Sequence, residues 1–478
     1  MKQYETTIGL EVHVELSTEQ KMFCTCSTQF GAATNTQCCP VCTGKPGVKP
    51  ILNPQVVEYA VKAGLATNCQ IITKTAFDRK HYSYPDLPKG YQITQFYEPI
   101  CQDGYLDITT KKIRIREIHM EEDAGKLTYD QQTGEVQVDH NRCGIPLLEL
   151  VTQPDFSNAQ EVVAFLEQLK HIFQFIEVSD CKMEEGSLRV DVNLSVRPVG
   201  QEALGTRTEM KNLNSFKAVA RAIETENKRQ INLLEAGEPV LQETRHWEDA
   251  TGTSEAMRLK ENAADYNYTP DPDLPPVCVE ESWIAAVKKQ LPELPNDRKQ
   301  RYMDEFGLSA YDAAFLTATS KLGDLFEQVN TQCQSAKDVA NWMMGEWMQL
   351  LNEKGCEIAQ TEIDAAAFAT VIQMVQQGVI NRMVGKQVLK AVWLEAVDPA
   401  EYIKEHDLAM ISDETILLPV IDTVLKDNPK SVQEYQNGKE KAFGFFMGLI
   451  MKETKGKANP EMVRNLLKER AKSYIILD

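Results

Sequence analysis

The chain has 478 residues, 42% of them apolar and 25% charged, the balance of a globular protein with room for about two to four domains. Its net charge of −19 excludes a surface that coats nucleic acid in general, DNA included. The longest apolar run, Phe443–Met451, is nine residues with two glycines, far short of a membrane span, and the N-terminus enters its first strand with no room for a leader, so a cytoplasmic protein is expected.

From Ile8 to Leu16 the even positions are Ile8, Leu10, Val12, Val14 and Leu16, and between them stand Gly9, Glu11, His13 and Glu15. Alternate side chains of a strand point to opposite faces, so one face is apolar and the other carries acids and an imidazole. Cys24 and Cys26 then precede Cys39 and Cys42, with Gly44 and Gly47 just beyond. Paired thiolates on two turns suit a closed, structural zinc site; Cys38 is a rival ligand, and unligated thiols are the alternative. The other cysteines are dispersed and read as small apolar residues. Tyr82–Tyr91, rich in Tyr and Pro, reads either as a stacking loop for a base or as a packed turn.

A second strand pattern runs through Ile113, Ile115, Ile118 and Met120, its phase slipping near Arg116–Glu117 as a β-bulge would make it, into the acidic island His119–Lys126. Ser157–Gln160 reads as a capping box opening a helix striped with Val162, Phe165, Leu166, Leu169 and Phe173. Leu188–Val196 repeats the first pattern: Leu188, Val190, Val192, Leu194 and Val196 alternate with Arg189, Asp191, Asn193 and Ser195. Arg207, Glu209 and Lys211 share one face of the next short strand, and a helix follows Asn214–Ser215. Carboxylates with one imidazole can hold Mg²⁺, while Arg and Lys offset phosphate charge. A solvated polar face is the bland alternative for any one strand, and four such islands favour an active site built on a sheet.

Proline-rich Thr269–Pro276 and Leu291–Pro295 are expected to be irregular and to mark a boundary. Beyond it helical stripes cover Ala310–Val329, Ala336–Leu351 and Glu362–Gln376; Pro399 and Pro419 bracket a second change, and Asn459–Pro460 caps a helix over Glu461–Lys472. The expected fold class is α+β: a mainly antiparallel-sheet domain over 1–292, a helical domain over 293–408 and a small helical tail over 409–478. From Lys426 onward 11 basic and 7 acidic residues give +4 against −23 for the remainder, which fits a grip on an RNA backbone or simply a mildly basic helical surface. No Walker A loop and no Gly-x-Ser-x-Gly elbow occurs.

Ile8–Leu16, Tyr84–Ile93, His119–Lys126, Met183–Arg189, Lys211–Ser215 and Lys455–Pro460, in this order, closely resemble the B-subunit family of the aspartyl/glutamyl-tRNA amidotransferases, and the resemblance spans essentially the whole chain. It implies a cradle-shaped domain that uses ATP and Mg²⁺ to phosphorylate the side-chain carboxylate of Glu on tRNA(Gln) or Asp on tRNA(Asn). Ammonia from the glutaminase A subunit then gives the amide, a small C subunit makes up the heterotrimer, and the tail holds tRNA. By resemblance His13, Glu122 and Glu209 are the Mg²⁺ ligands and Glu11 and Asp191 line the same pocket; Lys211 is a further clamp by its place on the face. The four cysteines match a zinc-bearing subset of the family. The alternative class is a non-catalytic scaffold that docks charged tRNA.

Overall fold

The structure, a computed structural model, describes residues 3–129, 133–259, 266–356 and 362–474. The chain divides into two compact units, Met1–Pro295 and Asn296–Asp478.

The first unit is α+β. Its strands are β1 (Tyr4–Glu15), β2 (Gln70–Ile71), β3 (Lys74–Thr75), β4 (Asp78–His81), β5 (Tyr91–Thr94), β6 (Cys101–Asp107), β7 (Lys112–Glu122) and β8 (Lys126–Tyr129). There follow β9 (Val136–Asp139), β10 (Pro146–Thr152), β11 (Leu188–Pro198), β12 (Thr208–Lys211), β13 (Glu243–Glu248), β14 (Thr253–Leu259), β15 (Asn267–Pro270) and β16 (Val277–Cys278). Nine of them make one sheet in the order β14-β13-β12-β11-β1-β10-β7-β6-β2, antiparallel except where β12 meets β13. The two patterned strands are therefore neighbours: β1 and β11 pair with Gly9 opposite Asn193, Glu11 opposite Asp191 and His13 opposite Arg189.

One face of this sheet is the core. Ile8, Leu10, Val12 and Val14 of β1 and Val190, Val192 and Leu194 of β11 are almost fully buried, and against them lie helices α1 (Pro54–Ala66), α2 (Ala159–Phe175) and α3 (Phe216–Ala236). Helix α2 starts one residue later than a Ser157 cap would place it: Asn158 Oδ1 accepts from Glu161 N at 2.9 Å, while the Glu161 carboxylate reaches back to Ser157 N at 2.8 Å. Ser215 caps α3. The phase slip is a bulge: Val151 of β10 faces Glu117 and Thr152 faces Ile115, leaving Arg116 as the extra residue.

A small sheet, β15-β4-β5, meets the opposite side near the end of β7 through Gln92 Nε2 to Glu122 O at 2.8 Å and Met120 N to Gln95 Oε1 at 3.0 Å. The proline-rich stretch is not wholly irregular, since Asn267–Pro270 forms β15. It is an edge strand ending in Pro270, where a missing N–H leaves no ladder bond unmade.

The second unit is helical and holds two separate apolar cores, one spanning Tyr302–Ile403 around Trp347 and Phe368, the other Leu417–Ala471 around Phe446. The stripe at Ala310–Val329 breaks at Thr317–Thr319, where Thr319 caps a new helix. Ala336–Lys354 is continuous but widens into a π-turn at Met343–Trp347. Pro419 lies inside the helix Glu414–Asp427 rather than at a boundary, and Asn459 caps Pro460–Ser473. Among the described residues no helix is long and apolar enough to cross a membrane.

Candidate functional site

The loaded faces of five neighbouring strands form one polar surface. Register carries it from Glu209 of β12 to Asn193 of β11, from Asp191 to Glu11 of β1, from His13 to Glu149 of β10, and from Glu149 to His119 of β7. Over it lies a cavity of about 500 Å³, lined among others by Gly9, Glu11, His119, Glu121, Glu149, Asn193, Arg207 and, from the small sheet, Lys80.

Two sets of three donors gather on this face, His13 with Glu121 and Glu149, and Glu11 with Asp191 and Glu209, each within 4.8 Å, and Glu11, Glu121 and Glu149 line the cavity itself. His13 Nε2 stands 3.5 Å from Glu149 Oε2 and 3.7 Å from Glu121 Oε1. Neutral or cationic donors pin most of the carboxylates by one oxygen. Asn193 Nδ2 donates to Glu11 Oε1 at 3.0 Å, Thr244 Oγ1 to Glu209 Oε2 at 2.7 Å, and Lys211 to Asp191. His119 Nε2 meets Glu149 Oε2 at 3.0 Å.

The electrostatics are those of a crowd of like charges. Burial, reinforced by Glu149, Glu209 and Asp191, raises the Glu11 carboxyl above its ordinary value, and Lys211 offsets only part of this. Burial would lower His13, but Glu149, Glu121 and Asp191 outweigh it and raise the imidazole to about 9. Two buried polar atoms of cavity-lining residues, His119 Nδ1 and Asn193 Oδ1, make no hydrogen bond, although Glu117 Oε1 stands 3.7 Å from the first. Oxygen and imidazole donors with surplus negative charge and open valences are the chemistry that hard divalent cations and their phosphate ligands complete.

The expected trio His13, Glu122 and Glu209 does not meet. Glu122 points to the other side of β7, where Lys89 and Ile93 N (2.9 Å) take its carboxylate. The acid of β7 that stands beside His13 is Glu121, and His13 and Glu209 belong to different sets. The reason is the period of two: beyond the bulge, Ile118 and Met120 face the core, so Glu122 follows them and His119 and Glu121 take the opposite side. Glu11, Asp191 and Lys211 do converge as expected. Sequence reasoning missed Glu149, although a lone acid in the apolar run Pro146–Thr152 is itself a signal. It also missed Thr244 and Lys80, which only tertiary pairing brings to the site.

Further along β1, Glu15 lies against Asp123, whose carboxylate accepts from Arg189 Nη2 at 2.8 Å. Burial and Asp123 raise Glu15 to about 8.

The four sulfurs of Cys24, Cys26, Cys39 and Cys42 also lie within 4.8 Å of one another, the spacing of a tetrahedral thiolate site. Cys38 turns away, its thiol toward Asn35 O at 3.3 Å. A hydrogen bond from Cys24, the Cys39 N–H and nearby Lys21 outweigh burial and bring the Cys42 thiol down to about 4. The same knuckle touches the Glu122 pair: Gly44 has φ +69°, and a Cβ there would sit 2.5 Å from Lys89 Cγ.

Fold and site together define an α+β domain whose polar sheet face is suited to cations and phosphates. The family profile described as the GatB/GatE catalytic domain matches residues 6–285, and one described as the GatB domain matches 324–470. The chain is 52% identical over 474 residues to the B subunit of an aspartyl/glutamyl-tRNA(Asn/Gln) amidotransferase from Caldicellulosiruptor bescii, covering 98% of this chain and 99% of the relative. The B subunit of the same name from Lachnoclostridium phytofermentans is 52% identical over 98% and 99%, and that from Agathobacter rectalis 51% over 98% and 100%. The chain belongs to the B-subunit family of the aspartyl/glutamyl-tRNA(Asn/Gln) amidotransferases.

Proposed function

We propose that this chain is the carboxylate-activating subunit of a tRNA-dependent amidotransferase, acting on Glu-tRNA(Gln), Asp-tRNA(Asn) or both, in a heterotrimer with a glutaminase (the A subunit) and a small C subunit. The observation that carries the reading is the gathering of two donor sets on one sheet face, with Glu11, Glu121 and Glu149 reaching the cavity over it. A side-chain carboxylate oxygen of the aminoacyl group attacks the γ-phosphorus of ATP: a P–O bond forms, the β–γ bridging P–O bond breaks, and ADP leaves. Ammonia supplied by the glutaminase then attacks the acyl carbon, a C–N bond forms, phosphate leaves, and one proton is lost.

Attack of one anion on another demands positioning and charge neutralisation rather than a covalent nucleophile. Mg²⁺ held by His13, Glu121 and Glu149, and by Glu11, Asp191 and Glu209, would supply the neutralisation. The residues do the positioning. Asn193, Thr244, Lys211 and His119 fix individual carboxylate oxygens, so that the remaining ones converge. Zinc on the four cysteines would set the knuckle that abuts Lys89. In the tail Lys452, Lys455, Arg464 and Lys468 are exposed with no partner among the described residues, whereas Lys457 pairs with Asp407, so the first four are the candidates for tRNA phosphates.

The test is Glu149→Gln in the assembled complex. Expected is loss of Mn²⁺ binding at the His13–Glu121–Glu149 set and of amidated tRNA, with glutamine hydrolysis by the glutaminase persisting. Amidation at the wild-type rate would overturn the reading.

A further inference from the structure

Most cations in and beside the cavity are paired or lie in solvent. Lys211 is paired with Asp191 and lies 3.4 Å from Glu209, Arg189 is held by Asp123, exposed Arg116 lies along Glu117, and Arg207 lines the cavity as an exposed side chain. Lys80 differs in being half-buried. It sits at the middle of β4, opposite Gln92 of β5 and Tyr268 of β15, and its side chain lines the cavity from the small sheet. Its ammonium stands over the Tyr266 ring at 4.7 Å and the Tyr82 ring at 5.9 Å, two rings that themselves meet edge-on at 5.5 Å. No carboxylate or carbonyl of the described residues lies within ion-pair or hydrogen-bond reach of it.

A half-buried ammonium without an acceptor is costly, and ring faces compensate only in part. Yet it is kept charged: burial would lower it, but Glu121 and Glu149 act through space and raise it. Lys80 is thus close enough to the His13–Glu121–Glu149 set to feel its charge and too far to touch it. Between an ammonium and a carboxylate set able to hold a cation, the group that fits is an anion with several oxygens, one directed to each side.

We propose that Lys80 is a catalytic residue that donates to a non-bridging oxygen of the transferring phosphoryl group. This rests on the phosphoryl-transfer reading above. The aromatic cage holds the ammonium poised before substrate arrives, so little reorganisation is needed as charge shifts during transfer. Lys80 keeps its proton throughout; the bonds made and broken are those already given for phosphoryl transfer.

The experiment uses the assembled complex with Glu-tRNA(Gln), measuring ADP formation in a single turnover, Mn²⁺ binding and thermal melting for wild type, Lys80→Met and Lys80→Arg. Met keeps the apolar stem between the tyrosine rings. Loss of one preorganised donor to a transition state costs about 10²-fold in kcat, so Lys80→Met should fall by that order. KM for the charged tRNA should stay within about threefold, because uniform binding is untouched. Lys80→Arg should recover part of the rate, and Mn²⁺ affinity should be retained or tightened in both. A Lys80→Met complex with kcat within about threefold of wild type would overturn the inference, as would loss of rate accompanied by a lowered melting point or lost Mn²⁺ binding. If wild type itself forms no ADP in response to charged tRNA, the underlying reading fails instead.

Discussion

Thr244→Val isolates one pin of the second donor set. The hydroxyl donates to Glu209 Oε2 at 2.7 Å, and Thr244 and Glu209 are 2% and 3% exposed, so water cannot replace it. Val has nearly the same shape and suits a strand, so no cavity opens and β13 keeps its parallel pairing to β12. A hydrogen bond to a buried charged acceptor contributes about 1.5–3 kcal/mol. The lower half of that range applies, because Lys211 still supports Glu209 Oε1 from 3.4 Å. For cation affinity the expectation is larger, since removing a partner that orients a ligand costs about 10–100-fold. Mn²⁺ titration of the wild-type complex by calorimetry should resolve two sites; in Thr244→Val one should weaken by that factor while the other is unchanged. His119→Gln should do the converse by releasing Glu149. Equal affinities at both sites in Thr244→Val, or weakening of both together, would refute the view that the sets are separate and individually pinned.

Glu122→Gln should leave Mn²⁺ affinity unchanged, because its carboxylate is engaged by Lys89 and Ile93 outside both sets, whereas Glu121→Gln should lower it. Lys89→Met, which strands the buried Glu122 charge, should destabilise the cradle by about 3–5 kcal/mol in denaturant titration. Purified protein should contain one zinc per chain, and Cys39→Ser should lose it and increase hydrogen exchange over residues 21–50; wild type free of zinc would refute the assignment. Glu327 and Glu346 are held below the ordinary 4.5, burial opposing but Arg301, Tyr302 and Arg298 for the first and Arg382 for the second outweighing it. A lowered carboxyl stabilises above 4.5 and loses that contribution as pH falls through its folded value, so the melting point should drop on acidification below 4.5, less steeply in Glu327→Gln. Replacing Lys452, Lys455, Arg464 and Lys468 with Gln should flatten the salt dependence of tRNA binding, KM rising more than kcat falls.

What the sequence made legible follows the range of the physics involved. Alternation in β1 and β11 is local, and it placed Glu11, His13, Asp191 and Asn193 on the correct face before any pairing was known. The bulge at Arg116 was legible for the same reason. Carrying the phase two residues past it puts Glu121, not Glu122, on the face of His119, whereas Glu122 was expected there from the resemblance alone. Cys-x-Cys and Cys-x-x-Cys likewise fixed which sulfurs meet, and the fold separated Cys38 from them. Pairings distant in sequence were a different matter: Thr244 reaches Glu209 only because β12 and β13 run parallel, an arrangement no local pattern encodes.

The same distinction accounts for how the site is divided between sheets. Apart from Glu209 on short β12, the donors stand on longer strands of the large sheet whose other face is a packed core, and the Glu11 and His13 backbones are held from both sides by β11 and β10. Rigid support suits groups that must keep a cation geometry while mutually repelling. Lys80 comes instead from a short strand of a small sheet with an edge-strand neighbour, and its tyrosine partners Tyr82 and Tyr266 flank that sheet. Fewer ladder bonds hold it, so the cationic side of the cavity yields at lower free energy than the acidic side. A site built this way can admit a bulky aminoacyl end by movement of the small sheet without disturbing the carboxylates. Hydrogen exchange should accordingly be faster at the amides of residues 79–81 than at those of residues 10–13, and equal protection would contradict this division.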